Sequence, residues 1–214
     1  MSYVGASILA CSAAYRSGVG LVTLATSENV YPIVASKLSE VTFIPLSSTN
    51  TGEIDDEDVD KVIEKLPEYD AMVIGCGLGQ HNKTGEFLSR LLLQNQNLPD
   101  LPIVIDADAL NFLAKFDGWH KHLNSHTILT PHPREMARLL GTSVDEVQKD
   151  RLGIAKESAG YWEKVVLLKG ALSIVTPDKE HARINPFANP LLASAGTGDV
   201  LTGLIGGLLA QGLS

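Results

Sequence analysis

The sequence is poor in the residues that several functional classes require. It has only two cysteines, Cys11 and Cys76, and neither lies in a CxxC or Cys/His ligand spacing. We therefore expect two buried thiols in a reducing compartment and no structural zinc. The 17 lysines and arginines are outnumbered by 25 aspartates and glutamates, and the resulting net charge of −8 argues against a general nucleic-acid binder. Any bound phosphate is better held by backbone N–H groups at helix starts.

Targeting and membrane signals are also missing. The first residues carry no basic n-region, and Arg16 follows closely, so we expect no signal peptide. The apolar run near the carboxyl terminus is short and rich in glycine, which predicts a core helix and not a membrane span. These features predict a cytoplasmic protein with neither a nucleic acid nor a membrane as partner.

What the chain does have is a series of short, nearly all-apolar runs that alternate with amphipathic ones. Such runs are typical of strands buried on both faces, and their alternation with helical patterns predicts an α/β fold with a mostly parallel sheet in a single domain. The predicted strands are residues 21–26, 41–46, 71–75, 102–106, 127–130, 165–169 and 172–176. Ligands of such folds bind beyond the carboxyl ends of the strands.

Two of these strand ends carry glycines or carboxylates. "CGLGQHNKTGE" matches neither the Walker A loop nor the dinucleotide pattern GxGxxG, although Gly75, Gly77 and Gly79 predict a tight turn. The turn either lets a ligand approach the backbone or is an ordinary strand-to-helix connection. Asp106 and Asp108 follow the fourth strand, where one could cap the next helix or serve catalysis or a metal.

Two further strand ends carry a histidine and a lysine. Pro131 and Pro133 fix the chain on both sides of His132, whose imidazole either faces a substrate or is structural. Lys169 ends a buried strand just before Gly170, where its amine either meets a phosphate or simply extends to solvent.

The strongest signal is "AGTGDVLTG" near the end of the chain. Gly196 and Gly198 allow successive N–H groups to face one concavity at the positive end of a helix. Such an anion site stabilises a phosphoryl group in transfer, and Asp199 beside it would be the base for an attacking hydroxyl. The alternative is an aspartate that only complements the helix dipole, and the two glycines favour the functional interpretation.

Several segments together resemble one family. They are "GASILACSAAYRSGVGLVTLAT", "DADALN", "LTPHPREMARLLG", "VVLLKGALSIV" and "NPLLASAGTGDVLTGLIGG". In this order, over nearly the whole chain, they resemble the ADP- or ATP-dependent NAD(P)H-hydrate dehydratases, the carboxyl-terminal YjeF-type domain of the ribokinase-like superfamily. The resemblance implies a single three-layer α/β/α domain over residues 1–214. It also implies a further strand and glycine-rich turn ahead of Met1 and helical sequence after Ser214, and the chain departs from the family pattern at Cys76 and Arg134.

The resemblance implies a repair reaction on damaged nicotinamide cofactors. Hydrated NADH or NADPH is phosphorylated on its new hydroxyl by ADP or ATP with Mg²⁺, and elimination of phosphate restores the cofactor. Asp199 would be the catalytic base. The family's substrate-binding positions fall on Ala6, Gly79, His132 and Asp199, and its nucleotide-binding positions fall on Lys169, Gly170, Ala171, Leu172, Ser173 and Gly198.

Other expectations accompany this resemblance. No all-protein metal cage is expected, because Mg²⁺ would bridge the phosphates of the donor. A homo-oligomer is implied, with an NAD(P)H-hydrate epimerase as functional partner. A small-molecule kinase of the same fold, of the hydroxymethylpyrimidine or thiazole type, shares "GTGD" and would leave a stable phosphorylated alcohol. A nucleotide-binding module without catalysis is a further alternative.

Overall fold

The computed structural model describes residues 3–50, 52–95 and 98–213, so that Met1 and Ser214, the ends of the predicted domain, lie outside the described residues. The strands lie close to their predicted positions. They are β1 (Val22–Ser27), β2 (Val41–Leu46), β3 (Met72–Ile74), β4 (Ile103–Ile105), β5 (Thr127–Leu129), β6 (Val165–Leu168), β7 (Ile174–Thr176) and β8 (Arg183–Ile184). The short strand β8 was not predicted.

Helices occupy most of the connections between these strands. They are α1 (Val4–Arg16), α2 (Tyr31–Ala35), α3 (Val59–Lys65), α4 (Asn82–Leu88), α5 (Ala107–Leu113), α6 (Pro133–Leu140), α7 (Val144–Lys149), α8 (Arg151–Trp162) and α9 (Thr197–Leu209). The apolar run near the carboxyl terminus is α9, which packs on α1, β3 and β4. Its buried positions are Thr202 and three glycines, while Val200 and Leu204 are exposed, so the predicted core helix is only partly buried. None of the helices in the described ranges combines the length and hydropathy that crossing a membrane requires.

The strands form two sheets. The larger has the order β3-β4-β5-β6-β7-β8, in which β3 to β6 run parallel and the last two pairings are antiparallel. Strand β4 is fully buried, as its apolar sequence predicts. The mostly parallel α/β fold is therefore confirmed, but β1 and β2 form a separate parallel pair. Apolar runs identify strands without determining which of them share hydrogen bonds, and for this reason the division was not predicted.

An apolar cavity of about 250 Å³ lies between the two sheets. Residues of β1, β3, α1 and α9 line it, including Ala10 and Gly206. The helices α1 and α9 are in close contact beside it, because a Cβ atom on Gly203 would come within 2.1 Å of the carbonyl oxygen of Ala10. The glycines of α9 thus allow this helix to lie near the sheet edge where the candidate site forms.

Candidate active site

The carboxyl ends of the parallel strands bring the candidate residues to one edge of the larger sheet. Gly75 directly follows β3, Asp106 follows β4 and Lys169 follows β6. Helix α9 begins at the same edge, since its residue Thr202 reaches Asp106. The site is therefore assembled from segments more than a hundred residues apart in the chain.

At the glycine-rich start of α9, the left-handed backbone that favours glycine occurs at Gly196 but not at Gly198, which lies within the helix. Gly196 precedes the helix with a φ of 90°, a left-handed conformation that L side chains rarely adopt. A Cβ atom there would also approach Leu9 Cδ1 to 2.4 Å. Because the first N–H groups of an α-helix have no acceptor within the helix, this end of α9 can bind an anion.

Asp199 lies in the first turn of α9 and is half-buried. Burial raises the pKa of its carboxyl above the usual value, a hydrogen bond from the Cys76 thiol opposes that shift, and the negative charge of Asp106 adds to it. A carboxylate with a raised pKa, beside a helix N-terminus, is suited to accept a proton from a bound hydroxyl.

Asp106 connects the other parts of the site. Its side chain is 2% exposed, and Oδ1 accepts hydrogen bonds from Ala107 N at 2.8 Å and from Lys169 Nζ at 2.6 Å. The other oxygen, Oδ2, accepts from the hydroxyl of Thr202 at 2.6 Å. The capping alternative is thus correct for Asp106, which is the N-cap residue of α5, and the same carboxylate also pairs with Lys169.

Asp108 has a different role from Asp106. It accepts hydrogen bonds from Gly79 N at 2.8 Å and from the Gln80 side chain at 3.1 Å. Gly75, Gly77 and Gly79 all have positive φ angles, as the predicted tight turn requires. A Cβ atom on Gly77 would approach the Cβ of Ala6 to 3.0 Å, so the predicted substrate residue Ala6 packs on the same turn that carries Gly79.

His132 caps α6, which corresponds to the structural alternative left open by the sequence. Its Nδ1 accepts hydrogen bonds from Arg134 N and Glu135 N, and Glu135 Oε2 in turn accepts from His132 N at 2.8 Å. Burial lowers the pKa of His132, and the positive charge of Lys169 lowers it further. The imidazole is nonetheless 44% exposed, so its exposed part can still face a ligand.

Lys169 is held inside the site and does not extend freely to solvent. Its side chain is 17% exposed, and its amine pairs with Asp106 and lies 3.8 Å from Glu135 Oε2. The amine is also 3.6 Å from the position that a Cβ atom on Gly198 would occupy. The structure therefore brings His132, Lys169 and Gly198 together through Asp106 and Glu135.

The remaining predicted nucleotide positions form the turn between β6 and β7, residues 169–173, called here the β6–β7 turn. Gly170 has a φ of 143° and Leu172 a φ of 55°. The hydroxyl of Ser173 donates to Gly170 O at 2.9 Å, and the guanidinium of Arg151 donates to carbonyl oxygens of the turn. Ala171 and Leu172 are exposed, so a ligand could reach this turn.

Sequence reasoning missed three residues of this site. Glu135 carries a signal, because a glutamate three residues after a helix cap is the pattern of a capping box. Thr202 and Arg151 carry none, since their contacts are made across the fold. No cluster of three or more possible metal ligands occurs among the described residues.

Comparisons with known proteins identify the family to which the sequence is similar. The family model described as NAD(P)H-hydrate dehydratase matches residues 1–214. The chain is 44% identical over 213 residues to the bifunctional NAD(P)H-hydrate repair enzyme Nnr of Moorella thermoacetica, covering 98% of this chain and 39% of that protein. It is 36% identical over 212 residues to the ADP-dependent (S)-NAD(P)H-hydrate dehydratase of Neisseria meningitidis, covering 98% and 66%. The chain thus spans only part of these relatives.

Solved structures with a similar fold were also found. The ADP/ATP-dependent NAD(P)H-hydrate dehydratase from Bacillus subtilis, co-crystallised with ATP/Mg²⁺ and soaked with CoA, superposes with a TM-score of 0.76 at 35% identity, covering 97% of this chain and 70% of that chain. A ribokinase-like superfamily protein from Enterococcus faecalis superposes with a TM-score of 0.78 at 23% identity, covering 97% and 67%, which supports the fold alone.

Proposed function

The chain belongs to the NAD(P)H-hydrate dehydratase family, and from this premise we propose that it dehydrates hydrated NADH and NADPH at the expense of ADP or ATP. The observation that carries the proposal is the half-buried carboxylate of Asp199 in the first turn of α9, beside the N–H groups that Gly196 leaves open. A base and an anion site at one helix end are what phosphoryl transfer to a hydroxyl needs.

The proposed reaction has two stages. The hydroxyl oxygen of the hydrate attacks the terminal phosphorus of the donor while Asp199 accepts the hydroxyl proton, and AMP leaves if the donor is ADP or ADP leaves if it is ATP. The N–H groups at the start of α9 stabilise the charge on the phosphoryl group. The phosphate then leaves with the C–O bonding electrons, the neighbouring ring carbon loses a proton to water, and the electrons of that C–H bond restore the ring double bond.

Lys169 supplies positive charge beside this anion site. Its amine lies near Gly198 and is fixed by Asp106, so it can attract the donor phosphates from a set position. The buried carboxylates Asp106 and Glu135 already bind partners within the protein and are poorly placed to form a metal cage. Mg²⁺ would therefore be held mainly by donor phosphates and water, where it neutralises phosphate charge.

The proposal also includes a functional partner, an oligomeric state and a cellular location. Relatives named bifunctional repair enzymes are longer than this chain, and we infer that an epimerase supplies the accepted form of the hydrate. A homo-oligomer and a cytoplasmic location are part of the same proposal. The two free thiols, Cys11 and Cys76, support a reducing compartment.

Recovery of reduced-nicotinamide absorbance tests the reaction. Hydrated NADH with Mg²⁺ and either ADP or ATP is given to the wild type, to Asp199→Asn and to Asp145→Asn. Asp145 is a matched control, because it also lies in the first turn of a helix but on α7. We expect recovery with the wild type and the control and none with Asp199→Asn.

Other outcomes point to other functions. A stable phosphorylated alcohol without recovery of absorbance would identify a small-molecule kinase. Nucleotide that raises the Tm of a folded protein without any turnover would indicate a binding module. Full activity of Asp199→Asn would exclude Asp199 as the base.

A further inference from the structure

Arg151 makes a set of contacts that the proposed reaction leaves unexplained. It begins α8, and its guanidinium reaches the β6–β7 turn. Nη2 donates to Leu168 O at 3.3 Å and to Lys169 O at 3.2 Å, and Nη1 donates to Ala171 O. One side chain thus binds three carbonyl oxygens within four residues, which is possible because a guanidinium presents several N–H donors in a rigid plane.

Each of these contacts also fixes the direction of the N–H group in the same peptide unit. In a trans peptide the C=O and N–H groups point in opposite directions, so a carbonyl that faces Arg151 turns the following N–H away from it. The peptide from Leu168 to Lys169 is consistent with this rule, because its N–H donates to Pro131 O at 2.8 Å. The next two such N–H groups belong to Gly170 and Leu172.

Neither of these two N–H groups has a hydrogen-bond acceptor among the described residues. The turn also holds conformations that the chain does not prefer, since Gly170 has a φ of 143° and Leu172, which is not a glycine, has a φ of 55°. A Cβ atom on Gly170 would lie 2.8 Å from Arg151 Nη2, so the guanidinium packs directly on the turn. Two unpaired N–H donors in a strained turn that Arg151 holds are available to bind an anion.

Arg151 also contributes uncompensated positive charge. It forms no ion pair with a carboxylate in the described part of the chain, and its buried Nε atom has no hydrogen-bond partner there. The turn therefore combines directed N–H donors with a nearby cation, and both favour a negatively charged ligand.

We propose that Arg151 is a positioning residue for the phosphate donor: by holding the carbonyls of Leu168, Lys169 and Ala171 at the end of β6 and in the β6–β7 turn, it directs the N–H groups that follow in the turn toward a phosphate of a nucleoside di- or triphosphate. This inference rests on the proposed function, in which the turn binds the donor. It adds a residue from α8 that does not itself touch the nucleotide.

Arg151→Lys tests this role, because lysine keeps the charge but cannot bind three carbonyls with a planar fork. Arg90→Lys is the matched control, since Arg90 pairs with Asp56 and Asp60 on another surface. We expect Arg151→Lys to raise the KM and the calorimetric Kd for ADP roughly 10- to 100-fold, the effect of one lost hydrogen bond to a charged group. The KM for hydrated NADH should stay within about twofold in both variants, well below that effect.

A second measurement does not depend on the variant being folded. In ¹⁵N-labelled wild type, titration with ADP should shift the amide resonances of Gly170 and Leu172. Bound ADP that leaves both resonances in place would overturn the inference, as would an unchanged ADP Kd in folded Arg151→Lys. Wild type that binds ADP through these amides but restores no NADH would refute the proposed function and leave the inference standing.

Discussion

Replacing Asp106 by asparagine should destabilise the fold mainly through the loss of charge. Asparagine has the same shape, and its carbonyl oxygen can still accept from Ala107 N and Lys169 Nζ. Its NH₂ group would then face the Thr202 hydroxyl, which already lies 2.9 Å from Gly198 O and can donate there instead. Hydrogen bonding is thus largely kept, while Lys169 loses the carboxylate 2.6 Å from its amine.

The size of the effect follows from the surroundings of Lys169. Removing one partner of a buried ion pair typically costs roughly 3–5 kcal/mol. Here the lysine keeps Glu135 at 3.8 Å and is 17% exposed, so its charge is not left fully buried and unpaired. We therefore expect Asp106→Asn to lower the free energy of unfolding by about 2–3 kcal/mol, and Thr202→Val, which keeps the ion pair, by about 1–2 kcal/mol.

Urea unfolding, followed by the fluorescence of Trp119 and Trp162, measures both changes. If Thr202→Val lowered the free energy of unfolding as much as Asp106→Asn or more, the reasoning would be refuted, because the hydroxyl and not the charge would then be the important contact. The same Asp106 variant has a kinetic signature. Because the charge of Asp106 contributes to the raised pKa of Asp199, the acid limb of the pH–rate profile should move to lower pH.

Three other changes follow from the packing and the thiols. Gly203→Ala places a Cβ atom 2.1 Å from a backbone carbonyl of α1 and should lower the free energy of unfolding by about 1–3 kcal/mol, measured in urea. Gly85→Ala meets only a phenyl ring at 3.7 Å and should raise it by up to about 1 kcal/mol. Equal stabilities of the two variants would contradict the close contact between α1 and α9. His132→Ala should lose about 1 kcal/mol through its helix cap, measured as a lower Tm. Burial raises the pKa of the Cys11 thiol to about 11 and raises the pKa of Cys76 as well, so at neutral pH both stay protonated and should react with iodoacetamide far more slowly in the native state than in urea.

Local signals predicted the elements that depend on local chemistry. Helix α6 begins at Pro133 and ends before Gly141, which has a left-handed φ of 64°, as a proline start and a glycine end require. Strand β2 runs over residues 41–46, as its apolar run predicts. Strand β8 escaped prediction because both of its residues are exposed and no apolar pattern distinguishes them. The separation of β1 and β2 from the larger sheet depends on pairings between distant segments.

The same distinction holds for the candidate site: residues at the ends of elements could be predicted, and contacts between distant segments could not. The glycines near Asp199 and the lysine at the end of β6 are visible in sequence, because each sits at the boundary of an element. The partner of that lysine is Asp106, 63 residues away, and only the fold brings the two together. His132 left two interpretations open, since its capping bonds to Arg134 N and Glu135 N depend on a backbone geometry that two prolines alone do not specify.

Burial separates the three carboxylates around Lys169 into different roles. Asp106 and Glu135 are 2% and 5% exposed, and both already accept hydrogen bonds from the protein. Protonation of either would weaken the buried hydrogen bonds and the interaction with Lys169 that its negative charge supports, which costs free energy. Asp199 is half-buried, and the weak thiol of Cys76 is its one hydrogen-bond donor among the described residues. It also lies in the first turn of α9 itself, where the open N–H groups are, and a base must lie beside the group that receives the phosphate. Asp199 is therefore the carboxylate that we assign as the base, while the other two hold the lysine in place.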